Sequence, residues 1–338
     1  MNKKRVLAML LAGAMALSMT ACGGNSASTE GSSNDGGASA SGGSYKVSVI
    51  LKTLAAEYWQ YVKSGAEDYA SEHSDKVTVE VKGPSSETAF DEMQNMIETD
   101  LSSGTYDGIV ISPLQSDTAA QLVSGTKLPI VAIDTNITAP EVKSFVGTGN
   151  EAAAKKGGEA AVEAAKAAGW TDIKCIEIAG VQGDQTNTAR MNGYKAGVEE
   201  AGGSFLSVDV QYGVGSADRA TTAMEAIMQT HPEGIAIICA NNDDMAMAAA
   251  RAAQGHDAYK NTIFLGFNGD RAACEAILDG QMTMSVAQMA YEMGYKAVET
   301  MVQVLDGETV DEFVDSGSDV VTPDNAQERL DTLKTQLH

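Results

Sequence analysis

The chain has 338 residues, 43% of them hydrophobic and 20% charged, a balance typical of a globular protein with room for two domains. Its net charge of −23 repels phosphate backbones and anionic lipid, so we expect no nucleic acid partner. The four cysteines and four histidines show no CxxC or other ligand spacing, which argues against a metal centre and a disulfide framework.

The N-terminal 21 residues have the pattern of a secretory signal. A positively charged start at residues 3–5 precedes an almost wholly apolar run at residues 6–19, and small residues stand before Cys22. The apolar run is shorter than the ~20 residues that a transmembrane helix needs. The segment resembles bacterial lipoprotein signals, in which the cysteine is lipidated. We therefore predict a signal peptide, lipid attachment at Cys22 and an extracytoplasmic, membrane-anchored protein.

Residues 23–44 consist almost entirely of Gly, Ser, Ala, Asn and Thr. Such a composition cannot bury a core and behaves as a flexible chain. We predict that residues 22–44 form a tether between the lipid and a folded body that begins at Tyr45. Later hydrophobic stretches are short and interrupted by charges or glycine, so no second membrane segment is expected.

From residue 45 onward, short β-rich runs alternate with helical stretches, which is the pattern of parallel sheets covered by helices. The first set has predicted strands at 47–51, 77–82, 108–112 and 130–134, and helices at 57–73, 87–101 and 118–125. After residue 149 the pattern restarts, with strands at 173–179, 205–211, 235–240, 263–266 and 284–287, and helices at 151–168, 188–201, 217–229, 243–254, 271–278 and 291–305. Two such sets in series predict an α/β protein with two Rossmann-like lobes.

Polar residues follow most of the predicted strands. In open α/β sheets, ligands bind beyond the carboxyl ends of the strands, so these positions are the candidate site. The positions are Lys52, Thr53, Ser112, Asp134, Thr135, residues 180–185, residues 241–244, residues 266–269 and Gln288. The run at 241–244 also resembles a helix N-cap, a role that suits Asp243 and still allows Asn242 to face a cleft.

Six short motifs lie in order along residues 46–324. They are Tyr58-Trp59, Ile133-Asp134, residues 188–194, residues 241–246, residues 266–269 and Ala287-Gln288. Their order and spacing resemble the periplasmic ribose-binding family, the sugar-binding subunits of ATP-driven importers. The resemblance implies a type I periplasmic-binding-protein fold, in which parallel sheets flanked by helices form two lobes joined by a three-strand hinge. The expected lobes are residues 45–148 plus 289–313 and residues 149–288 plus 314–338, with crossovers near Thr148, Gln288 and Val314.

The resemblance also implies roles for particular residues, which would bind a neutral polyhydroxyl ligand by aromatic stacking and by bidentate hydrogen bonds. Tyr58 and Trp59 would stack on the sugar ring, Asp134 and Arg190 would be charged hydrogen-bonding groups, and Asn242, Asn268 and Gln288 would be amide contacts. Other interpretations stay open: Tyr58 and Trp59 are also good core residues, and Asp134 and Arg190 could form a structural ion pair.

Three positions depart from the ribose-binding pattern. Thr135 replaces an arginine, Ala56 replaces an asparagine before the aromatic pair, and Asn268 replaces an aspartate. Lys52, at the end of the first strand, either enters the cleft or stays at its rim. We therefore expect a sugar or polyol other than ribose, delivered by a monomeric receptor without cofactor to an importer permease.

Several other functions compete with transport. Lys52, Asp134 and the pair Asp184-Gln185 vaguely resemble pocket residues of receptors for the furanosyl signal autoinducer-2, and a sensor that presents sugar to a kinase or chemoreceptor would use the same pocket. The GxGxxA pattern at residues 147–152 matches a nucleotide fingerprint, but its mid-chain position suits a hinge. An enzyme is disfavoured because no nucleophile and base pair stands out. The export signal excludes a repressor domain.

Overall fold

The computed structural model describes residues 44–337. The predicted signal peptide, Cys22 and nearly all of the tether lie outside the described residues. None of the helices in this part of the chain is both long enough and apolar enough to cross a membrane.

The first half of the described chain supplies five of the six strands of the first sheet. Its elements are β1 (Tyr45–Ile50), α1 (Glu57–Glu72), β2 (Val77–Lys82), α2 (Phe90–Ser103), β3 (Gly108–Ile111), α3 (Ser116–Val123), β4 (Ile130–Ile133) and β5 (Val142–Gly147). Strands β3 and β4 are short apolar runs buried along their whole length, as expected where helices cover both faces of a parallel sheet.

The second half builds a second sheet of seven strands. Its elements are α4 (Asn150–Ala167), β6 (Lys174–Ala179), α5 (Gln185–Glu200), β7 (Ser204–Phe205), β8 (Gln211–Tyr212), α6 (Ala217–Thr230), β9 (Ile237–Ala240), α7 (Asp243–Ala253), β10 (Ile263–Asn268), α8 (Arg271–Leu278), β11 (Met284–Gln288), α9 (Ala290–Leu305), β12 (Phe313–Asp315), β13 (Ser318–Val321) and α10 (Ala326–Thr335). Helix α9 and strand β12 return to the first sheet, whose order is β12-β5-β4-β3-β1-β2.

All pairings in the first sheet are parallel. The second sheet has the order β13-β11-β10-β9-β6-β7, with β8 also paired to β6, and its one antiparallel pairing joins β13 to β11. These two α/β sheets confirm the predicted fold class. The carboxyl ends of the parallel strands carry the residues described in the next section.

Two predicted boundaries need correction. Val314 pairs with Val146, so the expected division between residues 313 and 314 falls inside a strand of the first sheet, and the chain changes sheet only after Asp315. The predicted strand 205–211 is two short strands separated by a turn in which the Asp209 amide donates to the Leu206 carbonyl. Val208, in that turn, is 93% exposed and gives no reason for the strand to continue.

One helix pair on each sheet packs through glycine. A Cβ on Gly65 of α1 would overlap the carbonyl oxygen of Tyr291 in α9, and a Cβ on Gly294 would overlap that of Val62. In the second pair, a Cβ on Gly193 of α5 would overlap the Glu151 carbonyl oxygen of α4. The absence of side chains at these points lets the backbones approach closely.

Candidate ligand-binding site

Three of the predicted residues, Lys52, Tyr58 and Thr135, surround the carboxylate of Asp134, directly after β4. Its Oδ1 accepts a hydrogen bond from the Tyr58 hydroxyl at 3.0 Å, and its Oδ2 accepts one from Thr135 Oγ1 at 2.8 Å. Lys52 Nζ lies 3.3 Å from the same Oδ2. The side chains of Lys52 and Asp134 are 17% and 7% exposed, so most of the Lys52 side chain is covered by protein.

Asp134 is held in its ionised form. Burial alone would raise the pKa of this carboxyl, but Lys52, the Thr135 hydroxyl, Arg190 and the Tyr58 hydroxyl outweigh it and lower the pKa below its usual value. Asp134 also has a φ of 62°, a left-handed conformation that is uncommon for a residue other than glycine. Such backbone strain is frequent at binding sites, which fits the position of Asp134 beyond a strand end.

Trp59 lies beside this group. Its ring meets that of Tyr58 edge to face, with centroids 4.9 Å apart, and Lys52 Nζ is 5.8 Å from the ring centroid. The indole N–H donates to Glu87 Oε1 at 2.7 Å. Nothing in the sequence pattern distinguished Glu87, since it lies 28 residues away in the loop before α2.

Arg190 comes from the second sheet, in the first turns of α5. Its Nε donates to Asn150 Oδ1 at 2.8 Å and its Nη1 donates to the Asn241 carbonyl oxygen at 2.7 Å. The guanidinium lies 3.8 Å from the centroid of the Phe267 ring, a distance typical of a cation–π contact. Burial lowers the pKa of Arg190, and the charge of Asp134 in the first sheet opposes that shift.

A chain of side-chain hydrogen bonds follows β10 and β11. Gln288 Nε2 donates to Asn268 Oδ1 at 2.9 Å, and Asn268 Nδ2 donates to Asp270 Oδ2 at 3.3 Å. Arg329 of α10 donates hydrogen bonds to the backbone carbonyl oxygens of Gln288 at 2.8 Å and Gly269 at 3.3 Å. These bonds hold the ends of β10 and β11 in place. Sequence reasoning missed Asp270 and Arg329; the position of Asp270 just past a strand end was the signal available for it.

Asn242 stands apart from the other predicted residues. Its Oδ1 accepts from the Met245 amide at 2.9 Å and so caps α7, while its Nδ2 donates to the Gly215 carbonyl at 3.4 Å. The expectation that Asp243 is the cap was therefore wrong by one residue. Asp243 is fully buried; it accepts from Ser285 Oγ at 2.6 Å and from the Asp270 amide at 3.0 Å, because its side chain points under the sheet edge.

Asp184, considered as part of a furanosyl-signal pocket, has a structural partner. Its Oδ1 accepts from the Asn187 amide at 2.7 Å and caps the N-terminus of α5. The cap stabilises the helix that carries Arg190.

An ion pair joins helices that belong to different sheets. Arg271 Nε, at the start of α8, lies 3.2 Å from Glu57 Oε1 at the start of α1, and Arg271 Nη2 donates to Glu57 Oε2 at 3.4 Å. Both side chains are partly exposed, so we expect a small contribution, within about 1 kcal/mol.

Two α/β sheets whose strand ends face a shared set of aromatic, carboxylate, guanidinium and amide groups define a two-lobed binding protein. Residues 47–309 match the periplasmic binding protein domain. The chain therefore belongs to the periplasmic binding protein family. Within residues 44–337, no cluster of three or more His, Cys, Asp or Glu side chains could hold a metal ion.

Curated relatives cover most of the chain. The ribose import binding protein RbsB of Escherichia coli is 27% identical over 268 residues, covering 78% of this chain and 86% of the relative. The D-allose-binding periplasmic protein of Escherichia coli is 30% identical over 264 residues, covering 75% and 82%. These relatives are binding proteins named for sugars.

Solved structures share the fold. A carbohydrate transporter solute binding protein from Agrobacterium radiobacter, solved in complex with D-arabinose, superposes with a TM-score of 0.77 at 24% identity, covering 87% of this chain and 99% of the other.

Proposed function

We propose that this protein is an extracytoplasmic receptor that binds one sugar or polyol between its two lobes and delivers it to an ABC importer. The observation that carries the proposal is that Tyr58 and Asp134, from the first sheet, and Arg190, from the second, lie close enough to shift one another's pKa. Aromatic faces suit the C–H face of a sugar ring, and carboxylate and guanidinium groups suit its hydroxyls. The sugar names of the relatives support the same ligand class.

The ligand we propose is not ribose. Thr135 is engaged with Asp134 and cannot replace an arginine that would reach the ligand directly. Asn268 offers an amide where the ribose-binding pattern has a carboxylate, and its amide is already oriented by Gln288 and Asp270. The candidate site therefore departs from the ribose-binding pattern at three positions, Thr135, Asn268 and Ala56.

We further propose that the lobes close around the ligand. The first lobe comprises residues 45–148 and 289–315, and the second comprises residues 149–288 and 318–337. Ligand bound to both lobes favours the closed arrangement, because it makes more contacts there than in an open one. The ion pair between Glu57 and Arg271 bridges the two lobes and adds a small contribution to closure.

A thermal-shift screen of pentoses, hexoses, polyols, inositols and the furanosyl signal autoinducer-2 tests this function. A ligand present at about 100 times its dissociation constant stabilises the protein by about 2.7 kcal/mol, which raises the melting temperature measurably. A shift with a neutral sugar or polyol supports the proposal, and a shift with the furanosyl signal alone would assign the pocket to signalling. No shift with any compound, or turnover of a sugar, would contradict the proposed receptor.

Trp59→Ala is expected to weaken sugar binding by more than about tenfold, because the variant loses an aromatic face beside Tyr58 and Lys52. Calorimetry with the ligand found in the screen measures the change. Trp170→Ala is the matched control, since the Trp170 indole donates to the Asn261 carbonyl at 2.8 Å and takes no part in the candidate site. Equal affinities of Trp59→Ala and the wild type would show that Trp59 is only a core residue.

We propose that lipid at Cys22 and the tether that follows keep the receptor at the membrane. Cys22→Ser should move the protein from the membrane fraction to the soluble fraction while sugar affinity stays unchanged, because the ligand site lies entirely beyond residue 44. Fractionation followed by immunoblotting measures the distribution. A Cys22→Ser protein that remains with the membrane would refute lipid anchoring at this residue.

A further inference from the structure

Asp270 occupies the N-cap position of α8 but does not cap that helix. A side-chain oxygen at this position normally accepts a hydrogen bond from a backbone amide of the first helical turn. No such bond forms here; Oδ2 of Asp270 accepts instead from Asn268 Nδ2 at 3.3 Å. Within residues 44–337 its other oxygen, Oδ1, has no hydrogen-bond partner. The side chain is therefore turned towards the candidate site and has an oxygen available.

Asp270 and Asp243 are neighbouring carboxyl groups with unequal hydrogen-bonding partners. Burial raises the pKa of Asp243 to about 6, and the hydrogen bonds that it accepts from the Ser285 hydroxyl at 2.6 Å and the Asp270 amide at 3.0 Å oppose that shift. Asp270 has a single, longer hydrogen bond. Burial raises the pKa of Asp270 well above its usual value, and the charge of Asp243 raises it further. Asp270 is therefore the carboxyl group of the two that more readily holds a proton, and the protonated group is a hydrogen-bond donor.

The groups that face Asp270 come from both lobes. They are mainly acidic and phenolic, with Arg329 as a partly buried cation among them: the charges and hydroxyls are those of Asp243, Asp244, Arg329, Glu57, Tyr58 and Tyr61. The last three lie on α1 of the first lobe. Arg271, next in the chain, is paired with Glu57 across the lobes. Asp270 thus lies at the surface where the second lobe meets the aromatic residues of the first.

We propose that Asp270 is a ligand-recognition residue, which donates a hydrogen bond to an oxygen of the bound sugar or polyol beside Asn268 and Gln288 and couples ligand binding to uptake of a proton. This inference rests on the proposed receptor function. Opening the lobes removes α1, with its Glu57 carboxylate, from Asp270 and returns water to it, so the open form holds the proton less tightly than the closed form. Affinity consequently rises as the pH falls through the range in which Asp270 titrates. Asp134 does not contribute to this dependence because its pKa is lowered and it stays ionised.

The test is calorimetry between pH 5.5 and 8 with the sugar that gives the largest thermal shift, in two buffers of different ionisation enthalpy so that bound protons are counted. We expect the wild type to bind about fivefold or more tightly at the lower pH and to take up protons on binding. Asp270→Asn, which keeps a donor, should bind with little pH dependence and without proton uptake, and Asp270→Ala should bind about tenfold more weakly throughout. Asp279→Asn, an exposed aspartate at the other end of α8, is the control and should behave as the wild type.

The outcomes separate this inference from the receptor function. A wild type that binds no sugar or polyol overturns both. A wild type that binds, together with an Asp270→Ala variant of equal affinity or an Asp270→Asn variant that keeps the wild-type proton uptake, overturns only the role of Asp270. Melting curves of each variant confirm that the folded protein is being compared.

Discussion

Replacing Asp134 with asparagine should weaken ligand binding by about a hundredfold, equivalent to about 2.7 kcal/mol. Asparagine keeps the size of the side chain and tolerates the left-handed conformation at this position. It removes the negative charge that orients Tyr58, Thr135 and Lys52 and that faces Arg190 from the opposite lobe. Charge-assisted hydrogen bonds to the sugar hydroxyls are lost with it.

The control for this variant is Asp100→Asn, which changes a chemically similar buried ion pair elsewhere in the first lobe. Asp100 is also buried, accepts Lys82 Nζ at 2.7 Å and accepts Ser48 Oγ at 2.5 Å. Asp100→Asn should therefore lower the melting temperature while affinity, measured by calorimetry, remains at the wild-type value. If Asp134→Asn loses stability but keeps its affinity, as Asp100→Asn is expected to do, Asp134 is a structural ion-pair residue.

Glu177→Gln is expected to stabilise the protein at pH 8 by roughly 3 kcal/mol. Glu177 lies in β6 and is completely buried, and within the described residues neither of its carboxyl oxygens has a hydrogen-bond partner. Burial raises its pKa from 4.5 to about 8, although the charge of Arg190 opposes the shift. A neutral amide avoids the cost of an ionised carboxylate in this position.

The raised pKa of Glu177 makes the stability of the wild type fall as the pH rises. Between pH 4.5 and about 8 the folded protein holds a proton on Glu177 that the unfolded chain has released, so wild-type stability falls as the pH rises through this window. Urea unfolding at pH 5 and pH 8 should show the gain of Glu177→Gln growing with pH. The exposed Glu163→Gln is the control. A gain that is equal at both pH values would refute a protonated Glu177.

The alternation of β-rich and helical segments was sufficient to predict two α/β sheets, because buried strands and amphipathic helices have local signatures. The same local reasoning placed Asp134 and Gln288 at strand ends. Short strands were missed: β12 and β13 have three and four residues and are only partly buried, so no periodic pattern identifies them. The helix cap at Asn242 was misassigned to Asp243 because two adjacent polar residues fit the cap equally well until the backbone is known.

Hydrogen-bond partners that are distant in the sequence could not be predicted from local sequence patterns. Glu87 binds Trp59, and Asn150 binds Arg190 across 40 residues. Asp270 illustrates the same limit, because its environment depends on α1, which precedes it by about 200 residues. Residue type and strand position indicated the candidate cleft, whereas the hydrogen-bond partners within it required three-dimensional packing.

The glycine contacts between helices have a mechanical consequence. Helix α4 begins where the chain leaves the first sheet and, at Gly193, has its backbone directly against that of α5, which carries Arg190. Helix α9 begins where the chain returns and is packed in the same way against α1, which carries Tyr58 and Trp59. At these glycines the backbones of paired helices touch directly, so each pair has little freedom to slide or separate. In the lobe closure that we propose, each close-packed helix pair moves as one unit and carries its ligand-facing residues with it.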